Sequence, residues 1–217
     1  MIPNREVALN ELKVGEFFNP GPWIKHSINT GRAAEAIAGK IKNLDKEKAY
    51  ILGIMHDIGK RNGIALSKVH VIEGYRYCIS QNWNEIAKVC MTHSYPIKEK
   101  EFYYPVNGSD DEFIREYIQK CKYDDYDLLI QLCDSLALPE GCCLLEKRFV
   151  DVAIRYGVGD TTVERWQKLF EIKDYFEQKI GTSVYDLLPE VREVSFSECE
   201  KWVSPVFEKA LLTHKNL

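Results

Sequence analysis

Residues 49–60 read AYILGIMHDIGK. Their apolar side chains recur at helical spacing, and Leu52 shares one face of the predicted helix with His56. We expect this helix to end near Gly59. An inward-facing histidine, followed directly by Asp57, therefore lies at the end of an apolar helix. Polar groups in such a setting are costly to bury unless they are paired or bind a metal ion.

Polar side chains of the same kind recur on other predicted helices. The chain has five histidines, and four of them face inward: His26, His56, His70 and His93. Asp134 lies in a leucine-rich helix, whereas His214 lies in the polar tail THKNL and is predicted to be solvated. One inward histidine is more often an ordinary core residue than a ligand, but four of them together with an aspartate favour a metal site. Imidazole nitrogens and carboxylates directed at one interior point are the ligands that a divalent transition metal needs.

The pattern along the rest of the chain predicts an all-α fold. Apolar residues recur every three or four positions almost throughout, and strand-like alternation extends over no more than a few residues. The predicted helices cover residues 22–42, a segment from Asp45 to near Gly59, a segment beginning at Ser67, a segment from Asn82 to Pro96, residues 110–121 and 124–138, and three segments after residue 141, the last near 195–212. We divide the chain into an N-terminal segment (1–21), a core (22–140) and C-terminal helices (141–217) that pack on the core as one structural domain.

Composition limits the classes of function. The 217 residues fit one domain with an appendage, and the 45% hydrophobic and 29% charged residues are ordinary for a globular protein. The net charge of −4 gives no overall attraction to nucleic acid or to anionic lipid. No apolar run reaches the roughly 18 residues of a membrane span, and the first residues lack the apolar region of a secretory signal. We therefore expect a soluble, cytoplasmic protein with neither a membrane nor a nucleic-acid duplex as its partner.

The cysteines point to the same compartment. There are seven, an odd number, and no two of them form a CxxC pair. Most lie within apolar helical patterns, which predicts free, buried thiols in a reducing compartment. The missing paired spacing argues against a zinc site built from thiolates.

The order His26, His56-Asp57, Asp134 resembles the HD-domain superfamily of metal-dependent phosphohydrolases, and HDIGK is close to how the family motif usually reads. The resemblance covers about residues 22–140 and implies a helical bundle, here with additional C-terminal helices. The extra histidines, His70 and His93, are similar to those of the two-metal branch, which includes HD-GYP phosphodiesterases and HD-type symmetrical diadenosine-tetraphosphate hydrolases.

Two departures from that branch concern the segment after the HD pair. His70 follows His56 by only 14 residues, which is a short connection. The chain also lacks a GYP motif of the HD-GYP kind, since Gly74 and Tyr75 belong to a predicted helix. The second departure argues against cleavage of a cyclic dinucleotide.

The resemblance implies which residues bind metal. One ion is expected on His26, His56, Asp57 and Asp134, and the second on His70 and His93, with Asp57 bridging. Iron or manganese is expected first, and nickel, cobalt and zinc also suit such ligands. Two ions roughly 3.5–4 Å apart can hold an activated hydroxide and clamp a phosphoryl group. The implied reaction is hydrolysis of a phosphoester or phosphoanhydride bond in a nucleotide or another small phosphorylated metabolite.

Residues beside the predicted ligands are candidates for contact with the substrate. Lys60 ends the HDIGK string, where it can reach a phosphate oxygen, and we count it with Asp57 as a catalytic residue. Arg61 and Lys68 add positive charge nearby, and Ser94 follows a predicted ligand directly.

Two alternatives remain open at the level of the sequence. A minority of proteins with this fold, resembling inositol and phosphonate oxygenases, use the same six ligands for a di-iron oxygenase. The chain is also compatible with a non-catalytic, ligand-binding protein whose metal site is inert. The ligands are shared by all three classes, and no motif identifies the substrate or the oligomeric state.

Overall fold

The computed structural model describes residues 1–63, 69–98, 108–188 and 190–196, and the prediction of an all-α fold is confirmed. The helices in chain order are α1 (Arg5–Phe18), α2 (Trp23–Ala38), α3 (Lys46–Met55), α4 (Val69–Ser80), α5 (Asn84–Thr92), α6 (Gly108–Lys120), α7 (Asp125–Leu136), α8 (Leu145–Tyr156), α9 (Thr162–Ile180) and α10 (Val191–Phe196). Short 3-10 turns span Ile58–Asn62 and Val184–Leu187, and an antiparallel hairpin pairs β1 (Ala137–Leu138) with β2 (Gly141–Cys142).

Helices α2 and α3 cross at a pair of glycines. A Cβ atom on Gly53 would lie 2.6 Å from the Cα atom of Gly31, a distance that no side chain tolerates. The two backbones therefore approach closely only because both residues lack a side chain. This crossing places the imidazole rings of His26 and His56 with their centroids 5.3 Å apart.

A third glycine lets α4 approach the end of α3. A Cβ atom on Gly59 would overlap the carbonyl oxygen of His70 and the backbone nitrogen of Gly74. The 3-10 turn after His56 is thus pressed directly against the first turns of α4. The consequence is that the histidine at the start of α4 lies beside the HD pair.

The helices after the hairpin share the core of the earlier ones. Leu145 and Phe149 of α8 and Phe176 of α9 are buried in the same apolar cluster as Leu52 of α3. The hairpin connects the end of α7 to α8, and α8 therefore begins beside the C-terminal turn of α7.

Helix α1 is the main element that the sequence analysis did not identify. Asn4 caps it by accepting a hydrogen bond from the backbone N–H of Val7, at 2.9 Å. Only Ala8, Leu12 and Gly15 of this helix are buried, so its apolar stripe is narrow.

Some predicted helix ends are displaced in the structure. Asn82 adopts a positive φ of 60° and belongs to a turn, so α5 begins two residues later than predicted. The helix predicted over 124–138 ends at Leu136, because Ala137 is extended and enters the hairpin. The predicted cap Ser67, the segment near 197–212 and His214 lie outside the described residues.

The cysteines that the structure describes are free thiols, as predicted. Five of them are buried, and Cys121 is partly exposed. Cys199 lies outside the described residues. Among the described helices, none is long and apolar enough to cross a lipid bilayer.

Candidate metal centre

The fold brings the six predicted ligands to one place in the interior. They come from the first turns of α2 and α4, the ends of α3, α5 and α7, and the start of the 3-10 turn: His26, His70, His56, His93, Asp134 and Asp57. The side chains of His56, Asp57 and His93 are almost completely buried, whereas Asp134 keeps 21% of its side chain exposed. The centre is therefore an interior cluster in which the Asp134 carboxylate remains partly accessible.

Asp57 lies at the middle of the cluster and directs its two carboxylate oxygens at different histidines. Its Oδ2 atom is 3.4 Å from Nε2 of His56 and 3.8 Å from Nε2 of His26. Its Oδ1 atom is 3.4 Å from Nε2 of His70 and 3.6 Å from Nε2 of His93. One carboxylate thus lies between two pairs of imidazoles, with a different oxygen facing each pair.

Asp134 belongs to the first of these pairs. Its Oδ1 atom lies 2.9 Å from Nε2 of His26 and 3.7 Å from Nε2 of His56. His26, His56 and Asp134 consequently form one group of close potential ligand atoms, and His56, Asp57 and His93 form another.

The tautomers of three histidines follow from their backbone partners. Nδ1 of His26 faces the carbonyl oxygen of Ala137 at 3.1 Å, Nδ1 of His56 faces that of Gly53 at 2.6 Å, and Nδ1 of His93 faces that of Val89 at 3.1 Å. A carbonyl oxygen can only accept, so each Nδ1 carries the proton and donates. When the imidazole is neutral, each Nε2 atom then directs its lone pair into the cluster, which is the orientation that a metal ligand requires.

The charge balance of the cluster also favours bound cations. Burial by itself would raise the pKa of Asp57, but Lys60 and His56 outweigh it and hold that pKa well below the usual range. The same holds for Asp134, where burial is outweighed by His26 and His56. Two carboxylates thus stay ionised in the interior, and positive charge must compensate them.

The pKa values of two imidazoles in the cluster are shifted in opposite directions. Burial lowers the pKa of His93 to about 3, and the neighbouring His56 contributes in the same direction. Burial opposes protonation of His56 as well, but Asp57 and Asp134 outweigh it and raise the pKa to about 10. Nε2 of His56 is nevertheless buried without a hydrogen-bond partner among the described residues. A buried nitrogen between two carboxylates and without a partner fits a metal ligand, so the donor set suits a divalent transition metal.

The predicted substrate residues lie at different distances from this cluster. Nζ of Lys60 forms an ion pair with Oδ2 of Asp57. Arg61 instead pairs with Glu11 of α1 at 2.8 Å, and its guanidinium group lies over the ring of Tyr77. Ser94 is half-buried next to the predicted ligand His93. Lys68 lies outside the described residues.

Two features near the cluster were not identified from the sequence. The β-hairpin supplies the carbonyl of Ala137 that orients His26, and only the turn signal of Pro139 and Gly141 indicated it. Arg148 on α8 carries a positive charge that adds to burial, the main cause, in lowering the pKa of His26. It had no sequence signal, because an arginine in an amphipathic helix usually belongs to the solvated face.

The model of the HD domain family matches residues 23–153, which is more than half of the chain. This chain belongs to the HD-domain family. The family implies metal-dependent activity of the phosphohydrolase type, in agreement with the residues gathered in the cluster. The match also extends into α8, so it includes Arg148.

Two curated relatives are similar to part of this chain. They are ribonuclease Y of Mycoplasma capricolum subsp. capricolum and ribonuclease Y of Mycoplasma mycoides subsp. mycoides SC, each 35% identical over 78 residues. The aligned stretch covers 36% of this chain and only 15% of each relative's length. No solved structure shows a significant match to the chain.

Proposed function

We propose that this chain is a two-metal phosphohydrolase that cleaves a phosphoester or phosphoanhydride bond in a nucleotide or another small phosphorylated metabolite. In this proposal His26, His56, Asp57 and Asp134 hold one divalent transition-metal ion. His70 and His93 hold a second, and Asp57 is shared between them. Iron or manganese is the expected metal.

The observation that carries the proposal is the division of Asp57 between two pairs of histidines. A carboxylate in a single-metal site needs to serve only one group of ligands. Here Oδ1 and Oδ2 each lie within 4 Å of two different imidazole Nε2 atoms. That arrangement is the one expected of a carboxylate bridging two ions.

The protein's own groups prepare the site in two ways. The backbone carbonyls that accept from Nδ1 of His26, His56 and His93 fix the rings, so little reorganisation is needed when ligands bind. Lys60 keeps Asp57 ionised and places an ammonium group at the edge of the cluster. When bound, divalent ions supply activation of water and neutralise charge on a phosphoryl group.

Lys60 is the proposed catalytic residue that contacts the substrate. Its side chain is 22% exposed, so it is not locked into the interior with Asp57. A flexible lysine can exchange a carboxylate for a phosphoryl oxygen as a point-charge partner. We propose that Lys60 does so when substrate binds, and that Ser94 lines the substrate site beside it.

A substrate screen with the purified full chain tests the proposal. Manganese- or iron-loaded protein is incubated with nucleotides, dinucleoside polyphosphates, sugar phosphates and a short single-stranded RNA, and the products are separated chromatographically. The RNA is included because the curated relatives are named as ribonucleases. We expect turnover of a small phosphorylated compound, and none with Asp57→Ala, which excludes a contaminating phosphatase.

Two other results would contradict the proposal. Oxygen uptake by the iron-loaded protein together with oxidation of a substrate would assign the chain to the oxygenases of this fold. Binding of metal and of phosphorylated compounds without any turnover would indicate a non-catalytic protein.

A further inference from the structure

Helix α9 runs alongside α7 in the opposite direction. In the C-terminal half of α9, the hydroxyl of Tyr175 and the ammonium group of Lys179 both donate to Asp125, the first residue of α7, each at 2.6 Å. Arg165 precedes Tyr175 by ten residues, and Asp134 follows Asp125 by nine. At a rise of about 1.5 Å per residue, the two lie roughly 15 Å and 14 Å along their helices from this contact. Arg165 is therefore level with Asp134, a predicted metal ligand.

A direct hydrogen bond fixes the direction of the Arg165 side chain, which is half-buried. Its Nη2 atom donates to the backbone carbonyl oxygen of Ser94 at 3.2 Å. Ser94 directly follows His93, the predicted ligand at the end of α5. The guanidinium group thus lies against the turn that carries a predicted ligand, although α9 lies outside the part of the chain that the family model matches.

The same turn is held against α7 near Asp134. Nε2 of Gln131 donates to the carbonyl oxygens of Thr92 at 2.9 Å and of Tyr95 at 3.5 Å. Gln131 lies three residues before Asp134, so their side chains leave the same side of α7. These hydrogen bonds, together with the one from Arg165, place the guanidinium group at the edge of the metal centre on the side of Asp134.

The charges at this edge suit a bound anion. The ion pairs of Asp134 in the described part of the chain are with His26 and His56, so the guanidinium group lies outside the ligand cluster itself. The side chain of Asp134 is also partly exposed. Divalent ions bound to the cluster would add positive charge beside the guanidinium group. An anion between them would be attracted by both.

We infer that Arg165 is a substrate-binding residue that donates to a phosphate linked to the phosphoryl group being cleaved, so that the chain favours phosphoanhydride substrates over monoesters. The inference rests on the proposed function, because the anion is the substrate of that centre. A second phosphate extends outward from a metal-bound phosphoryl group, and the guanidinium group lies just outside the ligand cluster. Arginine suits this role because its five N–H groups can donate to Ser94 and to a phosphate oxygen together.

Two control variants separate this role from general effects of charge and of structure. Lys168 lies one turn further along α9 and pairs with Glu171 at 2.9 Å, so Lys168→Gln removes a positive charge from the same helix. The hydroxyl of Tyr123 donates to the carbonyl oxygen of Tyr95 at 2.8 Å. Tyr123→Phe therefore loosens the turn after α5 without changing the charge.

The experiment compares two ligands by calorimetry, with manganese-loaded full chain freed of excess metal. They are inorganic phosphate and methylenediphosphonate, which has two linked phosphorus groups and a bridge that cannot be hydrolysed. We expect the unaltered protein to bind methylenediphosphonate about tenfold more tightly than phosphate. Arg165→Gln should weaken binding of methylenediphosphonate about tenfold or more, by loss of a charge-assisted hydrogen bond, and change phosphate binding less than about threefold. Both controls should bind both ligands within about twofold of the unaltered protein, and all variants should keep their metal.

Several outcomes would overturn the inference. They are unchanged binding of methylenediphosphonate by Arg165→Gln, equal weakening of both ligands, equal weakening in either control, and an unaltered protein that does not prefer methylenediphosphonate. If Arg165→Gln does not fold, Arg165→Lys replaces it, because lysine keeps the charge but lacks the planar edge of N–H groups. Binding of methylenediphosphonate equal to that of the unaltered protein would then exclude the role. Hydrolysis is measured separately, so a chain that selects methylenediphosphonate through Arg165 but cleaves no substrate would contradict only the proposed function.

Discussion

The Nε2 atoms of His70 and His93 face each other at 3.3 Å, and Oδ1 of Asp57 lies beside both. His93 donates through Nδ1 to Val89, so its Nε2 atom carries a lone pair directed at His70. Neither histidine is needed for the ligand group of His26, His56 and Asp134. The pair is the structural reason for expecting a second metal ion.

Replacing His93 by alanine tests that expectation. The variant should stay folded, keep about one metal ion and lose most of its activity, because half of a two-metal clamp is missing. Metal content is measured by elemental analysis after loading with excess manganese, where the unaltered chain should hold about two ions. Met91→Leu is the control, since Met91 is buried on the same helix and this exchange conserves volume. Equal metal content and equal turnover in His93→Ala and the unaltered chain would show that His93 is an ordinary core histidine.

Asp57 is the only described residue whose two oxygens serve both histidine pairs. Asp57→Ala should therefore abolish activity and reduce the content of both ions. The matched control is Asp127→Asn, because Asp127 is also a buried carboxylate but pairs with Lys88 at 2.5 Å and belongs to neither group of potential ligand atoms. We expect the control to lower stability while keeping its metal. Full metal content in Asp57→Ala would refute the bridging role.

Much of this centre could be predicted because the spacing of nearby apolar residues along each helix indicates which side chains face inward. Apolar spacing placed His26, His56 and His93 on inward faces, and inward faces of packed helices meet in one core. The backbone carbonyls that accept hydrogen bonds from these histidines are harder to predict from the sequence. Val89 lies four residues before His93 on the same helix, whereas Ala137 reaches His26 across a hairpin of two-residue strands. Strands of that length show no alternation that a pattern could reveal.

The residues around the centre were harder to predict because their partners are distant in sequence. Arg61 follows the HDIGK string directly, yet it pairs with Glu11, fifty positions earlier, on helix α1. Arg148 is not singled out by the sequence pattern, yet its charge contributes to the lowered pKa of His26. In both cases the direction of a long side chain depends on which helix packs beside it, and spacing alone does not contain that information.

Gly59 is predicted to control the position of His70. An alanine there would overlap the carbonyl oxygen of His70 and force α4 away from the HD turn. We expect Gly59→Ala to lower the free energy of unfolding by about 3 kcal/mol, as for severe overpacking. We also expect it to weaken binding of the second ion more than binding of the first.

Denaturant unfolding of metal-free protein and a manganese titration measure the two effects separately. Gly21→Ala is the control, because its nearest described neighbour outside the adjacent residues is a side-chain atom of Trp23, at 3.3 Å, which can shift. If Gly59→Ala matched the control in both stability and metal content, the close approach of α4 would not be what positions His70.

Metal binding should add stability to the fold. Asp57 and Asp134 are ionised in the interior, and an ion that binds only the folded chain must stabilise it. Manganese at a free concentration of 100 times its Kd should raise the free energy of unfolding by about 2.7 kcal/mol. For a chain of this size that corresponds to an increase in Tm of roughly 5–10 °C. Thermal melts with manganese and with a chelator measure it, and Asp57→Ala should lose most of the increase.

Magnesium is the matched ion, because it has the same charge but prefers oxygen ligands and should give a much smaller shift at a cluster with four imidazoles. Equal shifts from magnesium and manganese would mean that the ions act through general charge screening and not through these histidines.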